Sequence, residues 1–148
     1  MADARLPPRV TVRPLRLLPD ERGSLLKVLM RQQLPEPARF GEIYLTTAVR
    51  GATRGLHYHE RSHEWFCVVA GSLRIWLQEL DPAPEAVCRL ELSADEPCLV
   101  HVPPRIAHAF ENHACDRAVM LAYADRPYDP EDTDTFAHSF PVREQEGA

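Results

Sequence analysis

The stretch over residues 51–71 constrains this chain more than any other, because it sets His57, His59 and Glu64 close together between Gly51 and Gly71. Side chains alternate sides along an extended strand, so His57 and His59 present two imidazoles on one face and turn Tyr58 to the other. Residues 65–70 then read as the second strand of a hairpin that ends in a turn at Gly71. Glu64 at its start returns a carboxylate to face the imidazoles. Two imidazoles and one carboxylate are most of a divalent-metal site.

The remaining chain reads as strands separated by turns. After a loose arm expected over 1–9, with Pro7 and Pro8, residues 10–18 alternate like an edge strand interrupted at Pro14. Asp20-Glu21-Arg22-Gly23 has the Asp and Gly of a tight turn and leads into a strand over 24–30. Pro35 and Pro37 mark a loop, and 41–49 is rich in β-branched and aromatic residues, with Tyr44 among them. Over 72–80, Leu73, Ile75 and Leu77 share one face while Arg74, Trp76 and Gln78 share the other, as in a strand of a sandwich. Further strands are expected at 87–92, 98–102 and 118–124. Strands about every ten residues, with no helical period, are the signature of an all-β double-sheet jelly roll, although periodicity alone also allows an immunoglobulin-like sandwich.

Composition narrows the class. A chain of 148 residues with 45% hydrophobic content is one domain of ordinary size over 1–148, with a loose tail expected at 141–148. Its four cysteines form no C-x-x-C pair and no apolar leader precedes them, so reduced thiols in a cytoplasmic protein are expected, with no membrane span. A net charge of −5 with scattered signs argues against a nucleic-acid footprint. Lys27 is the only lysine, so positive charge is carried by arginine, whose planar fork suits phosphate. His101, His113 and His138 read as packed or hydrogen-bonded side chains, whereas His63, one residue before Glu64 in the turn, could approach a metal there but points opposite to Glu64 along the strand.

The spacing Gly51, five residues, His57-x-His59, four residues, Glu64, six residues, Gly71 resembles in full the first motif of the cupin superfamily, and Pro103, His108 and Asn112 resemble the second. Pro97 stands where the second motif has a glycine, and Pro103-Pro104-Arg105 replaces Pro-x-Gly. Asp20-Glu21-Arg22-Gly23, Arg54-Gly55-Leu56-His57 and Tyr128-Asp129-Pro130-Glu131-Asp132, in that order, resemble the sugar-nucleotide branch: the dTDP-4-dehydrorhamnose 3,5-epimerases and the dTDP-4-keto-6-deoxyglucose 3,4-ketoisomerases. The resemblance implies a cupin barrel, a nucleotide-sugar substrate and a homodimer. It also implies one divalent metal (Zn, Fe, Ni or Mn) on His57, His59, Glu64 and His108, with no organic cofactor. Those epimerases have Gln where this chain has His59, and the added histidine resembles the metal-containing cupin domains fused to capsular sugar reductases.

The same resemblance assigns roles. His57 matches the base of the epimerases, Tyr123 or Tyr44 is the partner tyrosine, Arg22 faces the diphosphate, Arg54 the sugar, Arg105 is the reserve phosphate ligand, and Tyr128 lies beside the pocket. If His57 ligates metal, the base is another group: Tyr123, Tyr44 or a metal-bound hydroxide. The reaction implied is proton removal beside the ketone of a 4-keto-6-deoxysugar nucleotide, by an epimerase or ketoisomerase. Two other classes remain open on the residues: an Fe(II) dioxygenase acting on a small organic substrate, and a ligand-binding cupin without turnover.

Overall fold

A computed structural model of the chain describes residues 5–141. Its strands are β1 (Thr11–Pro14), β2 (Leu17–Asp20), β3 (Gly23–Leu26), β4 (Glu42–Val49), β5 (Thr53–Tyr58), β6 (Glu64–Ala70), β7 (Ser72–Glu79), β8 (Cys88–Ser93), β9 (Cys98–Val102), β10 (Ile106–Glu111), β11 (Arg117–Ala124) and β12 (Phe136–Ala137). A single 3-10 turn at Arg31–Gln33 is the only helical element among the described residues, and no helix is long and apolar enough to cross a membrane. Two five-stranded antiparallel sheets, in the orders β1-β9-β6-β11-β4 and β12-β5-β10-β7-β8, face each other, and β2 with β3 forms a separate hairpin. This is the expected all-β jelly roll.

The strands from β4 to β9 and β11 fall where expected, β10 and β12 are additional, and the partners differ at the motif that organises the chain. β5 and β6 lie in opposite sheets, so residues 57–70 are not a hairpin. The corner over 59–63 carries the chain from one sheet to the other: the Arg105 N–H donates to the His59 carbonyl at 2.7 Å and the Asp125 N–H to the His63 carbonyl at 3.1 Å. Glu64 therefore faces the imidazoles across the barrel interior. The chain crosses back at Gly71, whose φ of 71° suits glycine and where a Cβ would stand 2.8 Å from the Arg117 carbonyl oxygen.

The core fills the space between the sheets with alternate residues of each strand. Phe66, Val68, Leu73, Ile75, Leu77, Val100, Met120 and Ala122 are all buried in one cluster. The expected strand over 10–18 breaks in two after Pro14, and the next stops at Leu26, short of residue 30. The arm expected over 1–9 is anchored where it is described: Leu6 packs on the core, and the Arg9 guanidinium donates to both Glu79 oxygens and to the Pro104 carbonyl. Residues 142–148 of the expected tail lie outside the described residues.

Among the described residues, two that are not glycine take the left-handed backbone region, and both bear on the site. Arg105, at φ 67°, adopts the conformation that a glycine would take freely, which is how Pro103-Pro104-Arg105 makes the turn into β10. Leu56, at φ 58°, is the extra residue of a bulge: His57 pairs with His108 and Gly55 with Ala109, leaving Leu56 unmatched. Arg54 stands opposite the core residue Phe110, so an unbroken pleat would turn His57 outward. The bulge shifts the phase by one residue and aims His57 at the interior.

Asn112 ties this arrangement together. It is fully buried, its Nδ2 donates to the Ala48 carbonyl of the facing sheet at 2.8 Å, and its Oδ1 accepts the Cys115 N–H at 3.2 Å. Asn112→Ala leaves the buried Ala48 carbonyl and the partly buried Cys115 N–H unpaired, so it should lower unfolding free energy by about 1–3 kcal/mol. Denaturant titration measures this, and a change under about 0.5 kcal/mol would show that the clamp is dispensable.

Candidate metal centre and its cavity

Three strands and one corner supply the site. His57 comes from the end of β5, His59 from the corner after it, Glu64 from the start of β6 and His108 from the middle of β10. One ligand atom from each lies within 4.8 Å of the others. Ring centroids of His57 and His108 are 4.7 Å apart, those of His57 and His59 5.0 Å, and those of His59 and His108 5.5 Å. The four residues expected from the spacing are thus together, and they could hold a metal.

The donor atoms test that fit. Glu64 Oε1 lies 3.2 Å from His59 Nε2, and Glu64 Oε2 lies 3.2 Å from His108 Nε2. These are close approaches without hydrogen-bond alignment: His59 Nε2, His108 Nε2 and Glu64 Oε2 are buried with no hydrogen-bond partner among the described residues. Unpartnered buried polar atoms are costly, and three that face one another suit a shared cation. The opposite nitrogens are engaged, His59 Nδ1 with the Asp134 carbonyl at 2.7 Å and His108 Nδ1 with the Ile106 carbonyl at 3.1 Å. Donation from each Nδ1 leaves a bare Nε2 lone pair, the tautomer a metal needs. His57 is the most open of the four and is not among the orphaned groups.

Electrostatics separates these groups. Burial, reinforced by the neighbouring His108 and His59, lowers the His57 pKa to about 4. Burial opposes ionisation of Glu64, but the facing His108 and His59 outweigh it and hold the carboxyl well below its usual range. Burial also works against protonation of His59, and Glu64 more than offsets it, so that pKa is raised. The Tyr44 hydroxyl donates to Glu64 Oε1 at 3.2 Å, and burial with the adjacent carboxylate pushes its pKa up.

His57, His59 and Glu64 line the floor of a cavity of about 450 Å³, with His108 buried behind them, and its walls include Tyr44, Arg126 and Tyr128. Tyr44 and Tyr128 therefore both line this cavity. The other expected residues are placed differently. Tyr123 lies on the opposite face of β11, packed against Trp65 and donating to the Arg39 carbonyl, in a separate apolar cavity of about 500 Å³. Ala122 takes the inward position next to it, so the strand pleat denies Tyr123 a place at this site. Arg22 is at the exposed tip of the β2–β3 hairpin, paired with Asp20 at 2.7 Å. Arg105 pairs with Glu60 at 2.9 Å and lies over the Tyr58 ring. Arg54 is exposed, and none of these three arginines lines the cavity of its own chain.

Residues that sequence reasoning missed take their place. Arg126 lines the cavity, as does Arg61, which is held by Asp132 at 2.9 Å and Asp134 at 3.6 Å. Asp134 also contacts His59. The acidic, proline-rich segment after β11 was visible in the sequence; that it folds back over the corner at 59–63 was not.

The profile of the polysaccharide biosynthesis C-terminal domain family matches residues 18–136. The chain belongs to that family. Among relatives of this polysaccharide biosynthesis domain, the UDP-2-acetamido-2,6-beta-L-arabino-hexul-4-ose reductase of Pseudomonas aeruginosa is 31% identical over 121 residues, 81% of this chain and 30% of the reductase. The chain thus spans under a third of that curated relative. Among solved structures, a dTDP-sugar isomerase from Desulfovibrio desulfuricans G20 superposes with a TM-score of 0.76 at 20% identity, covering 89% of this chain and 85% of the isomerase. QdtA, a sugar 3,4-ketoisomerase from Thermoanaerobacterium thermosaccharolyticum solved with TDP, superposes with a TM-score of 0.72 at 22% identity, covering 88% of this chain and 89% of QdtA. The domain shares its fold with both.

The low His57 and His101 pKa values, each about 4 against an ordinary 6.5, fix a pH dependence. Between these values the unfolded chain binds protons that the folded chain refuses, so stability is lost as pH falls from 6.5 towards 4. Glu64 extends the loss below 4.5, while the raised His59 works in the opposite sense, losing its contribution as pH rises. Metal-free protein should therefore melt progressively lower between about pH 6.5 and 4, and His101→Gln, at a residue outside the cluster that stacks on His63 and Trp65, should flatten the curve. A melting temperature constant over that window would contradict these assignments.

Proposed function

We propose that the chain works as a single-domain isomerase of nucleotide-linked 4-keto-6-deoxysugars, an epimerase or ketoisomerase that removes a proton from the carbon beside the ketone. The observation that carries this reading is the set of three orphaned ligand atoms, those of His59 and Glu64 at the floor of a cavity and that of His108 behind it, with the more open His57 imidazole beside them and a tyrosine and a guanidinium in the walls. A volume of about 450 Å³ falls in the range of small-molecule sites. The solved dTDP-sugar isomerase and QdtA support the substrate class through their shared fold. The reductase activity belongs to a longer relative, and an all-β domain has no βαβ unit among its described residues for a dinucleotide.

His59, Glu64 and His108 are the fixed metal ligands in this proposal, and His57 is the base. When bound, a divalent cation supplies Lewis-acid stabilisation of the charge that develops on the ketone oxygen. His57 is neutral at pH 7 and open to the cavity, so it accepts the substrate proton. An imidazole with a pKa of about 4 is a weak base, which makes the step depend on groups that hold the enolate charge. Tyr44, with its raised pKa and its bond to Glu64, remains protonated and orients the carboxylate. Arg126 supplies the fork for the diphosphate, and Tyr128 packs against the substrate.

The outer face of the five-stranded sheet β1-β9-β6-β11-β4 exposes Ile43, Leu45, Val49 and Val69. We assign this face to a second copy in a homodimer, since exposed apolar patches of this kind mark association surfaces. The four free cysteines fit a reducing cytoplasmic setting.

Metal-loaded protein in heavy water should wash deuterium into a 4-keto-6-deoxysugar nucleotide at the carbon beside the ketone. His57→Ala should abolish exchange while retaining metal, whereas His108→Ala should lose both. Absence of exchange in metal-loaded protein that binds these substrates would overturn the isomerase reading, and loss of metal from His57→Ala would move His57 into the ligand set. Arg126→Ala should weaken binding of dTDP or UDP by about 10–100-fold, the worth of a charge-assisted fork, with Arg105→Ala within twofold. Equal effects in calorimetric titration would place the diphosphate elsewhere.

A further inference from the structure

We infer that Asp134 is a positioning residue of the metal centre, joining the segment after β11 to the orientation of His59. The inference rests on the proposal that His59 is a metal ligand. It concerns His59 alone.

Asp134 makes two kinds of contact with the corner between the sheets. Its main-chain carbonyl receives His59 Nδ1 at 2.7 Å. Its carboxylate accepts three successive backbone N–H groups: Glu60 at 3.1 Å, Arg61 at 3.0 and 3.2 Å, and Ser62 at 2.7 Å. The first contact selects the tautomer with a bare Nε2 and fixes the ring plane. The second holds the corner that carries His59 at one end and Glu64 just beyond the other. The side chain is only 12% exposed and also meets Arg61 at 3.6 Å.

The segment is secured on the other side as well. β12 pairs with β5, placing Phe136 opposite Tyr58 and Ala137 opposite His57, and the His138 N–H donates to the Leu56 carbonyl at the bulge at 2.8 Å. Phe136 stacks on Tyr58 with centroids 5.4 Å apart. Asp134 thus sits two residues before a short strand that lies along the histidine-bearing one. A carboxylate saturated by three N–H groups in a corner of five residues orders that corner before any ligand arrives. An imidazole whose orientation is fixed in advance loses less freedom on coordination, the reason that groups behind metal ligands are typically worth about 10–100-fold in affinity.

A purely structural role would cap the corner without affecting the ligand, and the two roles separate experimentally. Full-length wild type, Asp134→Ala and Asp134→Asn are compared with Asp129→Asn, which lines the same cavity without these contacts. In metal-free protein, Asp134→Ala should speed amide exchange at Glu60, Arg61 and Ser62 while leaving β7 and β10 amides unchanged. Chelator competition with Zn²⁺ should then show a dissociation constant raised about 10–100-fold, with Asp134→Asn intermediate and Asp129→Asn within twofold of wild type. Zinc affinity within twofold of wild type in Asp134→Ala and Asp134→Asn, despite faster corner exchange, would overturn the inference. If Asp134→Ala does not fold, Asp134→Asn alone decides by the same criterion. Wild type that takes up no zinc would instead defeat the ligand assignment itself, and with it the inference.

Discussion

The fold depends on one unfavourable placement: the Glu64 carboxylate, about 5% exposed, is set across the barrel interior from three imidazoles. A buried carboxylate is tolerable only with compensating partners, and Tyr44 satisfies only one of its oxygens. The remaining compensation requires imidazoles from the facing sheet, aimed inward at fixed distances. The corner at 59–63 carries the chain between sheets, the bulge at Leu56 turns His57 inward, and Asn112 clamps the end of β10 to β4. Each serves a geometry that apolar packing alone would not require.

Much of this was legible in the sequence. The His-x-His pair, Glu64 and His108 identify the cluster because ligand chemistry restricts residue type and spacing together. The alternation of Leu73, Ile75 and Leu77 gives strand phase directly, and the structure buries all three. What periodicity does not encode is which sheet a strand joins. β5 and β6 look like a hairpin because a short connection between alternating segments is the same whether the chain turns back or crosses over. Tyr123 was misplaced for a related reason: one residue of register separates it from the inward Ala122, and no composition signal distinguishes the two.

The arginines show a different limit. Arg22, Arg54 and Arg105 sit in recognisable motifs, yet two of them are committed to carboxylates, Asp20 and Glu60. Arg126 and Asp134 stand in a segment that reads as an acidic turn, and their importance arises from where that segment lands, beside β5 and over the corner. Long-range placement of a loop is set by tertiary packing, to which local sequence rules are blind.

The central claim is that buried imidazole and carboxylate groups from facing sheets form one metal centre. X-ray absorption on zinc-loaded protein tests it most directly, since the absorber's shells report ligand type without reference to activity. The account predicts imidazole nitrogen and carboxylate oxygen at about 2.0–2.2 Å, with imidazole outer-shell scattering and no sulfur shell. A sulfur shell near 2.3 Å, from any of the free cysteines, or a first shell of water oxygen alone would contradict it.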